Sequence, residues 1–202
     1  MAIHEAGHVI VAHVLSPRAK ISIAIRRRVR WLRSQIRQRG GAVRYESLEN
    51  ERSLDTREQL ESLICRKLAG AAAEEIALGC RSSGFSGSKG TDLDEATILA
   101  TQMVASYGMG RSLAFLMEAR HVTTESASRL PNALREDVSR ILDQQYSRAT
   151  AILTEHSALL ERIATALVVR EALTAEDVAN LVAGRVMRTQ QGNVPVASLR
   201  GG

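Results

Sequence analysis

The chain has 202 residues and a mass of 22.0 kDa, the size of one domain with at most a small appendage. Hydrophobic residues make up 45% of it and aromatic residues only 3%. This composition allows an aliphatic core and excludes general disorder, but it argues against an aromatic surface on which single-stranded nucleic acid could stack. The net charge of +5 favours a nucleic acid or an anionic membrane as partner, while the apolar runs are too short to span a bilayer.

The first half of the chain is predicted to hold three helices and a small hairpin. In chain order these are a helix over 5–15 ended by Pro17, strands over 20–25 and 42–48, a helix over 56–78 ended by Gly79, a Gly/Ser-rich loop over 81–90, and a helix from Thr91 towards Tyr107. Thr91 is predicted to cap the last helix in a box with Asp94. A basic stretch, Arg26–Arg39 around Trp31, is predicted to form an insertion at the hairpin tip.

The second half is predicted to be helical throughout. A polar linker over 121–131 precedes an amphipathic helix over 134–153, a helix over 158–169 and a short helix that starts at Thr174 with Asp177 as its capping-box partner. The predicted fold class is therefore mainly α, with a small β-hairpin after the first helix and a C-terminal helical bundle. The predicted organisation is a core over 1–120, the linker over 121–131, a C-terminal helical part of the same domain over 132–187 and a flexible tail over 188–202.

The sequence His4-Glu5-Ala6-Gly7-His8 carries the clearest chemistry. Two His four residues apart on a helix point the same way and can bind one zinc ion, and the intervening Glu5 can act as a general base. The same string also arises by chance on charged helix surfaces. Here apolar residues follow His8, which favours a helix buried beside a metal.

The motif leaves zinc short of one protein ligand. His13 is the nearest candidate but lies on the wrong helical face. The remaining candidates are His121 and His156, which are expected to be solvated, and the carboxylates Asp92, Asp94, Glu74 and Glu75. Asp92 is attractive because it follows a flexible loop and opens a helix, whose N–H groups can fix a carboxylate.

Three blocks together resemble the peptidase domain of FtsH-type ATP-dependent zinc metalloproteases. They are HEAGH, LAGAAAEEIALG over 68–79 and GTDLDEATILATQMVASYGMG over 90–110, and the resemblance extends from residue 2 to about residue 186. It implies that His4, His8 and Asp92 bind zinc and that Glu5 is catalytic. It also implies that Glu74 or Glu75 hydrogen-bonds to a His ligand, although a solvated pair on a helix is the competing interpretation.

The resemblance further implies a metalloendopeptidase that cleaves unfolded proteins or peptides, with one zinc ion per chain. The family forms homo-oligomers (hexameric rings) and uses ATP through an AAA ATPase module, which this chain would need in cis or in trans. We expect a cytoplasmic protein, or one held at a membrane by segments outside this chain. His4 falls in the first helical turn, so we expect a natural chain with residues before Met1.

The chain also departs from the family pattern. Ala71 stands where the family usually has Arg, and Thr91 where it usually has Asn. A rival interpretation, based on the Ala-rich apolar helices, is a proteolytically inactive helical oligomerisation module of an FtsH-like protein. A nucleic-acid-binding helical domain rests on charge alone, and residues 18–44 hold ten of the 27 basic residues and no acidic one. The basic stretch Arg26–Arg39 is interpreted as a solvated hairpin tip, or as a contact to a neighbouring subunit or to acidic substrate segments. Cys65 and Cys80 are predicted to be free and mostly buried thiols.

Overall fold

The structure is a computed structural model, and it describes residues 1–25, 41–46 and 55–185. In the first part of the chain the elements are α1 (Ala2–Leu15), β1 (Lys20–Ile25), β2 (Gly41–Glu46), α2 (Arg57–Leu78) and α3 (Asp92–Ala105). In the second part they are α4 (Thr124–Ser128), α5 (Asn132–Glu155), α6 (Ser157–Arg170), β3 (Ala172–Leu173) and α7 (Ala175–Val182). The predicted mainly α fold class is confirmed.

The small sheet contains one strand more than the hairpin predicted from the sequence. β1 lies in the centre and pairs antiparallel with β2, from Lys20 opposite Glu46 to Ile25 opposite Gly41. On its other side β1 pairs antiparallel with β3. A strand of two residues gives no alternating pattern in the sequence, so the pairing of β3 arises from the way α6 returns the chain to the sheet.

α2 is the central helix, because α1, α3 and α5 all pack against it. The contact with α1 is very close: a Cβ added at Gly7 would lie 2.5 Å from the Cβ of Ala73 and 2.7 Å from the carbonyl oxygen of Ala69. Only small residues let two helix backbones approach to this extent. The Ala- and Gly-rich composition of α2 therefore sets the distance between α1 and α2, the two helices that carry most of the site.

Most of the predicted helix ends are confirmed. Thr56 caps α2 in a full capping box, and Gly79 ends the helix in the left-handed conformation with φ of 71°. The Thr174–Asp177 capping box of α7 is also present. The box predicted at the start of α3 is wrong, because the Thr91 side chain makes no capping hydrogen bond. Its hydroxyl donates to the carbonyl of Ser88 instead.

The segment predicted to be a polar linker is packed against the rest of the protein. It contains α4, which begins with a capping box between Thr123 and Ser126. Val122, Ala127 and Leu130 are buried. A helix of five residues is too short to give a periodic pattern, so α4 could not be predicted from the sequence.

Both cysteines are free, as predicted, but only Cys65 is buried and Cys80 is exposed. Burial raises the pKa of the Cys65 thiol to about 11. Among the described residues, no helix combines the length and the apolar character needed to cross a membrane. The basic stretch Arg26–Arg39 and the tail over 188–202 lie outside the described residues.

Candidate metal centre

The two His of the HEAGH motif lie side by side on α1. Their ring centroids are 4.8 Å apart with the planes at 71°, and the two Nε2 atoms are 3.1 Å apart. His8 is 7% exposed, and the side chain of His4 is 12% exposed. Both Nε2 atoms therefore face the same point, as the four-residue spacing predicts.

Asp92, the first residue of α3, completes a group of three donor atoms. Its Oδ2 lies 3.0 Å from Nε2 of His4 and 3.3 Å from Nε2 of His8. Zinc with ligands at about 2.0–2.1 Å in a tetrahedron requires about 3.3 Å between ligand atoms. The donor types and their separations thus fit a zinc ion with a fourth position left open, as in catalytic zinc sites.

The other candidate ligands lie elsewhere. In the described part of the chain, His4, His8 and Asp92 form the only close group of three or more metal-binding side chains. The carboxylate of Asp94 accepts hydrogen bonds from the Gly90 N–H and the Thr124 hydroxyl. The remaining His also lie apart: His13 is half-buried, His121 is exposed, and His156 is bound to the Ile152 carbonyl.

A backbone carbonyl fixes the ring of His8. Its Nδ1 donates to the carbonyl oxygen of Arg66 in α2 at 2.7 Å. When Nδ1 carries the proton, the neutral ring presents a lone pair at Nε2. A bond of this kind orients a metal ligand and selects its tautomer.

The ring of His4 faces a carboxylate. Nδ1 of His4 lies 3.3 Å from Oε1 of Glu74, which is 4% exposed. Glu75 points the other way, is exposed, and binds the Tyr146 hydroxyl. Of the two carboxylates left open by the sequence, Glu74 is the one beside a His, while Glu75 lies on the surface against α5.

Gly70 gives the His4 ring its space. A Cβ added at Gly70 would lie 2.4 Å from both Cε1 and Nε2 of that ring. No side chain larger than hydrogen fits there, which explains a glycine in the middle of a long helix despite its cost of about 1 kcal/mol relative to alanine. Sequence reasoning missed this residue, although a glycine inside an otherwise apolar helical pattern was a usable signal.

Electrostatics at the site favour a charged Asp92. Burial by itself raises the pKa of this carboxyl, but hydrogen bonds and charge from His4 and His8 outweigh burial and hold its pKa far below the usual range. Burial lowers the pKa of His8, yet Asp92 and the Arg66 carbonyl shift it further in the other direction, so the pKa of His8 is raised. An anionic carboxylate beside two imidazoles is a suitable donor set for a divalent cation.

Glu5 lies between the two His in the sequence and is 7% exposed. Burial raises its pKa above the usual value, against the opposing attraction of His8 and His4. A carboxyl group with a raised pKa beside a polar site is a better proton acceptor than an ordinary surface carboxylate. The arrangement can therefore hold a metal ion and move a proton next to it.

Known proteins resemble the chain over most of its length. The sequence model of peptidase family M41 matches residues 1–181. The chain is 31% identical over 192 residues to the ATP-dependent zinc metalloprotease FtsH 2 of Sphaerobacter thermophilus, covering 90% of this chain and 26% of that protein. It is 32% identical over 202 residues to the ATP-dependent zinc metalloprotease FtsH of Parabacteroides distasonis, covering 95% and 27%. For the FtsH of Magnetococcus marinus the identity is 34% over 202 residues, covering 93% and 28%. The chain spans about a quarter of the length of these curated relatives.

Proposed function

Because this chain belongs to peptidase family M41, we propose that it is a zinc-dependent metalloendopeptidase domain that hydrolyses peptide bonds in unfolded protein substrates. The observation that carries the proposal is the convergence of His4, His8 and Asp92, from two separate helices, on one point. The donor set of two imidazoles and a carboxylate suits zinc. The relatives named above are zinc metalloproteases, which supports the same metal here.

Each residue of the site has a proposed role. His4, His8 and Asp92 would hold the zinc ion, which when bound supplies Lewis-acid chemistry for the scissile carbonyl and lowers the pKa of water. Glu5 takes a proton from the attacking water and returns it to the leaving amine nitrogen. Its raised pKa supports the first step, because it makes Glu5 a stronger proton acceptor.

We propose that the substrate binds as an extended strand along the sheet. α1 packs against both β1 and β2, so the sheet lies next to the helix that carries the HEAGH motif. β1 is central, and β2 is the longer of the two outer strands among those described. Backbone pairing of a peptide with the outer edge of β2 would recognise unfolded chains without selecting a side-chain sequence.

Coupling to ATP-driven unfolding and assembly into a ring stay predictions from the family. The relatives are ATP-dependent proteins, but this chain corresponds to about a quarter of their length. The peptidase chemistry proposed here depends only on residues of α1, α2 and α3. It can therefore be tested on this chain alone.

The test compares zinc content and cleavage of unfolded casein in the chain and its variants. We expect about one zinc per chain, its loss in His8→Ala, and retained zinc without cleavage in Glu5→Gln. His121→Ala and Glu58→Gln, which change exposed residues, serve as matched controls and should behave like the parent.

Cleavage by Glu5→Gln at the parent rate would show that the proposed proton transfer is wrong. Zinc bound by a parent chain that cleaves no unfolded protein would instead support the inactive assembly module.

A further inference from the structure

Ser82, in the loop between α2 and α3, binds both oxygens of the Glu74 carboxylate. The backbone N–H of Ser82 donates to Oε2 at 2.7 Å, and its hydroxyl donates to Oε1 at 3.0 Å. Glu74 itself is buried, whereas Ser82 is exposed. A buried carboxylate requires such donors, since an unpaired one is very costly to remove from water.

These two hydrogen bonds determine which group of Glu74 faces Nδ1 of His4. The Ser82 N–H and hydroxyl donate to both oxygens of Glu74, so this buried carboxylate is held with Oε1 facing Nδ1 of His4. An ionised carboxylate only accepts hydrogen bonds. The hydrogen between Oε1 of Glu74 and Nδ1 of His4 therefore belongs to the ring, and the Nε2 lone pair of a neutral ring faces His8 and Asp92.

The same loop also leads directly into Asp92, the third residue of the proposed metal site. Ser82 stands near its start and Asp92 directly after its end, while Phe85 anchors the middle of the loop by being only 7% exposed. The position of His8 does not depend on this loop, because its hydrogen-bond partner is a backbone carbonyl of α2. The loop therefore positions two of the three proposed metal-binding residues. It leads directly into Asp92, and its Ser82 holds Glu74, which lies beside His4.

We infer that Ser82 is a positioning residue for His4, acting through Glu74, and that it thereby increases the affinity of the site for zinc. This inference rests on the proposed function. Direct hydrogen-bond partners of metal ligands typically contribute 10- to 100-fold to metal affinity. Ser82 acts one step further out, and its backbone N–H survives any substitution, so we expect a loss of about 3- to 10-fold from its hydroxyl.

The experiment measures zinc affinity by competition with a chelator, using the full chain. Ser82→Ala should bind zinc about 3- to 10-fold more weakly than the parent. Ser82→Thr keeps the hydroxyl and places its methyl group at an exposed position, so it should restore affinity. Ser83→Ala removes a neighbouring exposed hydroxyl from the same loop and should bind like the parent.

A double-mutant cycle with Glu74→Gln tests whether Ser82 acts through Glu74. In the Glu74→Gln background, adding Ser82→Ala should weaken zinc binding no further. The cobalt-substituted protein gives a second measurement, because its visible absorption reports ligand geometry: Ser82→Ala should shift the bands, and Ser83→Ala should not. Equal unfolding midpoints of the metal-free variants would separate positioning of His4 from general loss of stability.

The outcomes distinguish this inference from the proposed function. If the parent chain binds zinc and Glu5→Gln abolishes cleavage, but Ser82→Ala binds zinc as tightly as the parent, only the inference on Ser82 is wrong. The inference is equally wrong if Ser82→Ala has the same effect with and without Glu74. If the parent chain binds no zinc, the proposed function fails first and the role of Ser82 with it.

Discussion

Among the residues that the structure describes, two buried carboxylates accept hydrogen bonds from loop residues: Glu74 on α2 and Asp137 on α5. Glu74 accepts the N–H and the hydroxyl of Ser82. Asp137, 1% exposed, accepts the backbone N–H of Arg111 at 2.9 Å and a hydrogen bond from the side chain of the same residue. In both cases one loop residue supplies a backbone donor and a side-chain donor to a carboxylate that the helix buries.

The two regions differ in the third group that contacts the buried carboxylate. Arg140 donates to Asp137 at 3.1 Å, so two guanidinium groups compensate that charge. At Glu74 the loop residue is an uncharged serine, and the third group is the His4 imidazole. A carboxylate paired with guanidinium groups fixes structure, whereas one that faces an imidazole also polarises a metal ligand. The same arrangement, a buried carboxylate bound by one loop residue, therefore stabilises the fold at Asp137 and supports the proposed metal site at Glu74.

Glycines adjoining the two regions provide the largest expected contrast. A Cβ at Gly70 would lie 2.4 Å from the His4 ring, and a Cβ at Gly110 would lie 3.0 Å from Oδ2 of Asp137. Gly70→Ala should displace the ring of His4, a proposed zinc ligand, and reduce zinc affinity by more than the roughly 100-fold seen when a ligand loses its hydrogen-bond partner. Gly110→Ala should lower only the free energy of unfolding, by about 1–3 kcal/mol.

Chelator competition and urea unfolding check this pair of glycine variants. Unchanged zinc affinity in Gly70→Ala would mean that the space next to α2 does not determine the position of His4.

Neutralising the two carboxylates should separate their roles. Glu74→Gln should weaken zinc binding by about 10- to 100-fold. Asp137→Asn should leave zinc affinity within about twofold, since none of the three metal-binding residues contacts Asp137. It should lower the free energy of unfolding by about 1–3 kcal/mol, because Arg111 and Arg140 lose a charged hydrogen-bond acceptor. Asp143→Asn, at an exposed position of α5, is the control for unfolding. A loss of zinc affinity in Asp137→Asn equal to that in Glu74→Gln would remove the distinction drawn above.

The smallest effect concerns pH. Burial raises the pKa of Asp137, but hydrogen bonds from Arg111 and Arg140 outweigh it and lower that pKa below its usual value. A carboxyl group with a lowered pKa in the folded state stabilises the fold above its unfolded pKa of about 3.9, and this contribution is lost as the pH falls through the folded pKa.

The advantage of the parent chain over Asp137→Asn should therefore be complete at pH 7 and shrink as the pH falls below about 4. Urea midpoints measured from pH 7 to pH 3 test this, with Asp143→Asn following the parent throughout. A difference between parent and Asp137→Asn that stays constant down to pH 3 would contradict the assigned origin of the stability.

Local patterns predicted most of the helical fold, because each helix needed only its own sequence. β1 was predicted at its observed residues, and α2 was predicted within one residue. α4 and β3 were missed because they are too short to give a period, and both are stabilised by contacts with distant parts of the chain. The family prediction, carried by three sequence blocks, is confirmed by the match over residues 1–181.

The sequence by itself determined that His4 and His8 share one face of a helix, since a spacing of four residues places both on the same side. It left Glu74 and Glu75 equivalent, because both follow the apolar stretch of α2. Only the tertiary structure decided between them: neighbouring residues on a helix point about 100° apart, so packing of α1 against α2 places one beside His4 and the other on the surface. Packing likewise placed Asp92 beside the two His of α1 and Ser82 beside Glu74 of α2. Such contacts between different segments leave no periodic signal in the sequence.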